Sequence, residues 1–172
     1  MSDYTKNTIK EWEDLSKPRA TARHNYHGGP ATGPGILAKY HQYYDKATQD
    51  IKRPRVLVLG ATPELRDYAL KNGAQVTVLD QSTEAIEKMT SLMDSDTANE
   101  ITIAGNWLDM SLDDAQFDFV WGDAISNNVY YKEHKKLFSE IKRVLKNNGY
   151  LLLRDVMFDP DEKRLTTKEA IN

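Results

Sequence analysis

The sequence predicts an α/β fold, a doubly wound and mostly parallel sheet with helices on both faces. Two observations carry this. Short apolar runs rich in β-branched residues alternate with helical patterns from residue 55 onward, and the connections between them are short. In the most regular of these runs the apolarity is continuous, which marks strands buried on both faces.

The elements follow in order. Residues 4–15 place Ile9, Trp12 and Leu15 on one side of a predicted helix. Residues 17–35, "KPRATARHNYHGGPATGPG", hold much of the chain's Gly and Pro and read as an irregular loop. Residues 36–48 set Ile36, Leu37, Tyr40, Tyr43, Tyr44 and Ala47 at helical spacing. "RVLVLG" (55–60) is the first strand, and a helix over 63–72 follows, with Gly73 past its end. "QVTVLD" (75–80) is the second strand. Ser82 caps a helix whose Ala85, Ile86, Met89, Leu92 and Met93 form one stripe. "EITIAG" (100–105) and "FDFVWG" (117–122) are the third and fourth strands. Residues 131–146 form a helix with Leu137, Phe138, Ile141, Val144 and Leu145 inward, ended by "NNG" (147–149). "YLLLRDVMF" (150–158) is the fifth strand.

The 172 residues are 40% hydrophobic and 28% charged, which suits one globular domain with a small appendage. With no cysteine there is no disulfide framework, thiolate nucleophile or thiolate metal site, and no metal is expected. No apolar run reaches a membrane span, and "MSDYTKNTIKEWEDL" is not a secretory signal, so a cytoplasmic protein is expected. A net charge of −3 with scattered Lys and Arg argues against nucleic acid as a partner.

Ligands of such sheets bind at the carboxyl ends of the strands, beside the first one. Gly60 suits the tight turn there and leaves room for a ligand. Thr62 then Pro63 read as N-cap and first helical residue, and Glu64 suits the helix dipole. That alone makes a sound helix start. Asp80, twenty residues beyond Gly60 at the end of the second strand, stands where an acidic side chain accepts ribose hydroxyls. A pyrophosphate seeks free N–H groups at the first helix. Glu64 puts negative charge in that turn, and Thr62 and Glu64 stand where further glycines are usual. Both disfavour NAD, FAD or ATP. S-adenosylmethionine carries no phosphate and has cationic sulfonium and ammonium groups, so it tolerates Glu64 better.

The stretches "VLVLGATPEL", "VTVLDQSTEAIEKM", "GNWLDMSLDDAQFDFVWGD" and "LFSEIKRVLKNNGYLLLRD" together resemble the class I, Rossmann-like S-adenosylmethionine-dependent methyltransferases over about residues 54–158. The resemblance implies strand order 3-2-1-4-5. It divides the chain into an N-terminal helical cap and loop (1–50) and a cofactor-binding domain (51–172). It further implies that Gly60, Ala61, Thr62 and Glu64 line the methionine and ribose part of the cofactor. Asp80 would hold the ribose, and Gln81 would lie beside the adenosine. Asn106 and Trp107 would reach the adenine, with Trp107 serving equally well as packing. Asp123 would face the methionine end or the substrate. The chain departs from the pattern at Val58, where the family commonly has an acidic residue, and at "ATPE" for Gly-x-Gly.

Methyl transfer needs a base only when the nucleophile must lose a proton early. The candidates are Asp123, His24, His27 and His134, with "RHNYHGG" favoured because N-terminal segments cover the cofactor in this family. Tyr26, Tyr40, Tyr43 and Tyr44 could wall a pocket, although the three helical tyrosines suit plain core. "GDAISNNVYY" (122–131) lacks the Asn/Asp-Pro-Pro-aromatic signature of nucleobase-amine methylation, which points to a small-molecule or protein acceptor. Val58 and the short C-terminus also admit a silent binding module of the same fold, and a nucleotide-binding oxidoreductase is a third reading. The family usually continues beyond the fifth strand. Here the expectation is a truncated form lacking the C-terminal strands, or a homo-oligomer in which another chain covers that edge.

Overall fold

The computed structural model describes residues 34–155. The expected helix over 4–15, most of the Gly/Pro-rich loop with His24, Tyr26 and His27, and the tail after residue 155 lie outside the described residues.

Five parallel strands form one sheet in the order β3-β2-β1-β4-β5. They are β1 (Arg55–Leu59), β2 (Gln75–Asp80), β3 (Ile101–Ala104), β4 (Phe117–Asp123) and β5 (Leu145–Arg154). The helices are α1 (Pro34–Thr48), α2 (Pro63–Lys71), α3 (Thr83–Thr90) and α4 (His134–Val144). The central strand β1 is dictated by its sequence: Val56, Leu57, Val58 and Leu59 are all fully buried. Val58 pairs in register with Val78 and Trp121.

Alternate strand residues feed two cores. One holds Val56, Val58, Val78, Phe119 and Trp121 beneath Tyr40 and Tyr44 of α1, Leu65 and Ala69 of α2, and Ile86 and Met89 of α3. The other holds Leu57, Leu59, Leu79, Phe117 and Val120 beneath Leu137, Ile141 and Val144 of α4, with Trp107, Met110 and Ile125 from the loops. Period-two alternation along the strands thus gives both helical layers an apolar floor. In α1, Tyr40 and Tyr44 face the sheet one turn apart, and Tyr44 lies against Trp121 with ring centroids 4.9 Å apart.

Several expected boundaries and faces are corrected. Tyr43 is exposed, because it falls on the flank between the inward positions Tyr40 and Tyr44. Phe138 is exposed for the same reason beside Leu137 and Ile141. Thr62 holds the N-cap position of α2, but its side chain makes no capping bond. Ser82 does cap α3, its hydroxyl accepting from the Ala85 N–H at 3.1 Å. Tyr131–Glu133 is a separate 3₁₀ turn, and α4 begins only at His134. α4 ends at Val144, and β5 begins at once with Leu145 opposite Phe117. Phe119 next meets Tyr150, so Lys146 to Gly149 form an irregularity that absorbs "NNG", with regular pairing resuming where the apolar run begins. β3 and β5 are the sheet edges among the described residues, with Ile101 on one and Tyr150 and Leu151 on the other exposed.

Candidate cofactor site

The site is built where β1, β2 and β4 end. Gly60 leaves β1 with φ of +81°, a conformation in which a side chain is strained. A Cβ placed there would come within 3.6 Å of Ile125 Cδ1 and 3.9 Å of both Asp80 Oδ2 and Trp107 Cζ2. These three side chains therefore gather around the bare backbone of Gly60. Trp107 is fixed by its indole N–H, which donates to the Leu79 carbonyl at 2.9 Å. The Gly60 N–H donates to that same carbonyl, also at 2.9 Å.

Asp80 ends β2 with one carboxylate oxygen accepting the Ser82 N–H at 2.9 Å. Burial pushes its carboxyl up to about 6, and the N–H groups of Ser82, Gln81 and Ala61 and the charge of Arg66 oppose that shift. Its neighbourhood holds two further acceptors. Glu64 Oε2, in the first turn of α2, and Gln81 Oε1 are shielded from solvent and have no hydrogen-bond partner among the described residues. Buried acceptors left open are costly, and these two belong to residues four past Gly60 and next to Asp80 in the chain. Ala61 is buried and Thr62 half-buried in the connection between them.

Asn106 is placed differently. It is exposed, and its Oδ1 already accepts the Leu108 N–H at 2.9 Å, which ties the turn after β3. The ring of Trp107 rather than Asn106 is the part of this turn that reaches Gly60.

Asp123, expected to face the methionine end or the substrate and a candidate base, ends β4. Its side chain is buried and takes two bonds from Arg154, Nε to Oδ1 at 2.6 Å and Nη2 to Oδ2 at 3.2 Å. The Tyr40 hydroxyl donates to Asp123 Oδ1 at 3.1 Å and to the Gly122 carbonyl at 2.9 Å. Burial first, and then the adjacent Asp123 charge, push the Tyr40 hydroxyl pKa well above the usual phenol range. The trio ties α1, β4 and β5 together beside the crevice. His134 Nε2 sits 3.0 Å from both the Ser126 and Val129 carbonyls, an arrangement that fixes a proton on that nitrogen. Just after Asp123, Ala124 takes φ of +55° and donates its N–H to the Arg154 carbonyl at 2.7 Å. This left-handed turn carries Ile125 back over Gly60 and Gly122.

Sequence reasoning missed the partners of Asp123, the packing of Ile125, and a buried pair behind the site. Arg66 is wholly buried on α2, with Nε 2.9 Å from Glu100 Oε1, Nη2 2.5 Å from Oε2 and Nη2 2.6 Å from the Thr90 hydroxyl. For the partner of Asp123 the available signal was a charge at the end of an apolar run, Arg154 after "LLL".

A family model described as "Methyltransferase domain" matches residues 59–153. The chain belongs to the methyltransferase-domain family. Solved structures agree on the fold. A protein from Methanococcus maripaludis assigned to the S-adenosyl-L-methionine-dependent methyltransferases is 16% identical, with a TM-score of 0.60 over 89% of this chain and 64% of its own. An S-adenosylmethionine-dependent methyltransferase from Methanosarcina mazei is 26% identical, with a TM-score of 0.52 over 59% of this chain and 52% of its own. Phosphoethanolamine N-methyltransferase 1 of Haemonchus contortus, solved with phosphoethanolamine and S-adenosylhomocysteine, is 17% identical, with a TM-score of 0.61 over 93% of this chain and 34% of its own. The matched chain thus spans a third to about two thirds of these proteins. A search of curated protein sequences gave no match.

S-adenosylmethionine is the cofactor of this methyltransferase domain, and the crevice fits it chemically. It offers acceptors for hydroxyl, amino and ammonium donors and a glycine cradle that a Cβ would fill. The carboxylate in the first turn of α2 does not suit a pyrophosphate. Among the described residues no helix is long and apolar enough to cross a membrane.

Proposed function

We propose that this methyltransferase domain binds S-adenosylmethionine through Gly60, Ala61, Thr62, Glu64, Asp80, Gln81 and Trp107, and transfers its methyl group to a small-molecule or protein acceptor. The single observation that carries the reading is the grouping of Gly60, Asp80 and Trp107 at the ends of β1 and β2, beside the open acceptors of Glu64 and Gln81. The cofactor supplies the electrophilic methyl group, and the protein contributes orientation and electrostatics. Gly60 allows close approach, Asp80 accepts hydroxyl protons, and Trp107 and Ile125 exclude water around Gly60. Asn106 contributes by shaping the turn that presents Trp107. Asp123 acts through Arg154 and Tyr40 to fix the ends of β4 and β5, which makes it a positioning residue. An acceptor nitrogen that attacks in its neutral form and loses its proton afterwards needs no base from the protein. A net charge of −3 disfavours nucleic acid as the acceptor. The exposed edge of β5 is read as a surface that a further segment or a second copy covers.

The second reading is a silent module that holds S-adenosylmethionine or S-adenosylhomocysteine without turnover. Val58, fully buried where an acidic residue is common, and the neutralised Asp123 favour it. Calorimetric titration with S-adenosylmethionine, S-adenosylhomocysteine and NAD tests both, followed by transfer of labelled methyl to an acceptor panel. Binding of the two sulfur compounds but not NAD is expected. Failure of both to bind removes both readings, and binding without turnover selects the second.

A further inference from the structure

We propose that Glu64 is the counter-charge for the cofactor's α-ammonium group, taking over from the strand carboxylate that Val58 replaces. The inference rests on the cofactor reading above and assigns a role within it.

An amino-acid end carries a positive ammonium, and a partly desolvated cation needs a carboxylate. Among the described residues, the carboxylates near the carboxyl ends of the strands include Glu64, Asp80, Glu84, Asp109, Asp123 and Asp155; Glu84 is paired with Lys88, and Asp155 accepts the Ser126 N–H at 3.3 Å. Asp123 is spoken for, since Arg154 neutralises it with two bonds and Tyr40 adds a third. Asp109 is exposed in the turn after β3, bridged to Asn106. Asp80 ends β2 and is anchored by the Ser82 N–H, on the side of Gly60 where Trp107 lies. Glu64 remains. It lies four residues past Gly60 in the first turn of α2, with Oε2 out of solvent and without a partner.

The helix dipole favours the charge of Glu64 but provides that oxygen with no donor. An open anionic acceptor costs more than a neutral one, and an ammonium donor relieves the cost. Val58 shows that β1 supplies no carboxylate in this chain. Its side chain points into the core between β2 and β4, among Val78 and Trp121.

The test compares S-adenosylhomocysteine, which has the amino-acid end, with 5′-methylthioadenosine, which lacks it. Both are titrated calorimetrically into the wild-type chain and Glu64→Gln, with thermal unfolding as a check on folding. The near-isosteric variant should bind S-adenosylhomocysteine roughly ten- to a hundredfold more weakly. Its affinity for 5′-methylthioadenosine should be unchanged. Retained S-adenosylhomocysteine affinity, or equal loss for both ligands, overturns the assignment while leaving the cofactor reading standing. A wild-type chain that binds neither ligand overturns the cofactor reading as well.

Discussion

Replacing Asp80 by Asn should make the free protein more stable at neutral pH while it destroys cofactor binding. Burial raises the Asp80 carboxyl from 3.8 to about 6, so the folded chain favours the protonated form. The folded value lies above the unfolded one. Asp80 therefore costs no stability below pH 3.8, and the cost grows as pH rises and is complete above about pH 6. Two units at about 1.4 kcal/mol each give about 3 kcal/mol. The side chain is only half-buried, and solvent screening reduces the expected gain from Asp80→Asn to about 1–2 kcal/mol at pH 7. An Asn oxygen can still accept the Ser82 N–H.

Binding should show the opposite sign. Only the carboxylate accepts two hydroxyls, so wild-type affinity for S-adenosylhomocysteine should rise through pH 6. It should be about tenfold weaker at pH 5 than at pH 7. Calorimetry in buffers of different ionisation enthalpy should register release of about half a proton per ligand near pH 6. Asp80→Asn should bind poorly at every pH and release none. A variant no more stable than wild type at pH 7, together with a wild-type affinity flat from pH 5 to 7, would refute the argument that burial tunes this carboxyl for ribose.

Two further substitutions probe the scaffold. Arg66→Ala leaves Glu100 buried and unpaired, and denaturant unfolding should show a loss of about 3–5 kcal/mol. Gly122→Ala drives a Cβ to within 2.5 Å of Ile125 Cγ1 and 2.8 Å of the Leu59 carbonyl, so it should lower stability by roughly 1–3 kcal/mol in a thermal melt. It should also weaken S-adenosylhomocysteine binding, because Ile125 touches the Gly60 cradle.

What was legible in the sequence was whatever depends on near neighbours. Continuous apolar runs fixed β1, β2 and β4, and connection lengths with the family resemblance gave their order. Gly60 and Asp80 could be placed because each ends a strand whose limits are clear. The misplacements have a common cause. Tyr43 and Phe138 have the chemistry of core residues, and only the rotation of each helix against the sheet leaves them outside. The partners of Asp123 were not legible because they stand 31 and 83 residues away. The bond from the Leu108 N–H to Asn106 was equally hidden, since it becomes visible only once the turn has closed.

The distribution of charge bears on the difference between an enzyme and a binder. Three anionic groups ring the ends of β1, β2 and β4, and each is in a different condition. Asp123 is neutralised by Arg154. Asp80 is buried enough to sit near the edge of ionisation. Glu64 is open at one oxygen. A site built for proton abstraction would leave a base free at the acceptor side, and the structure instead uses Asp123 to tie α1, β4 and β5 together. The open charge lies on the opposite flank, at the start of α2. The protein's electrostatic work is thus directed at holding a cationic nucleoside in place. Methyl transfer to an acceptor that is already nucleophilic needs only that orientation.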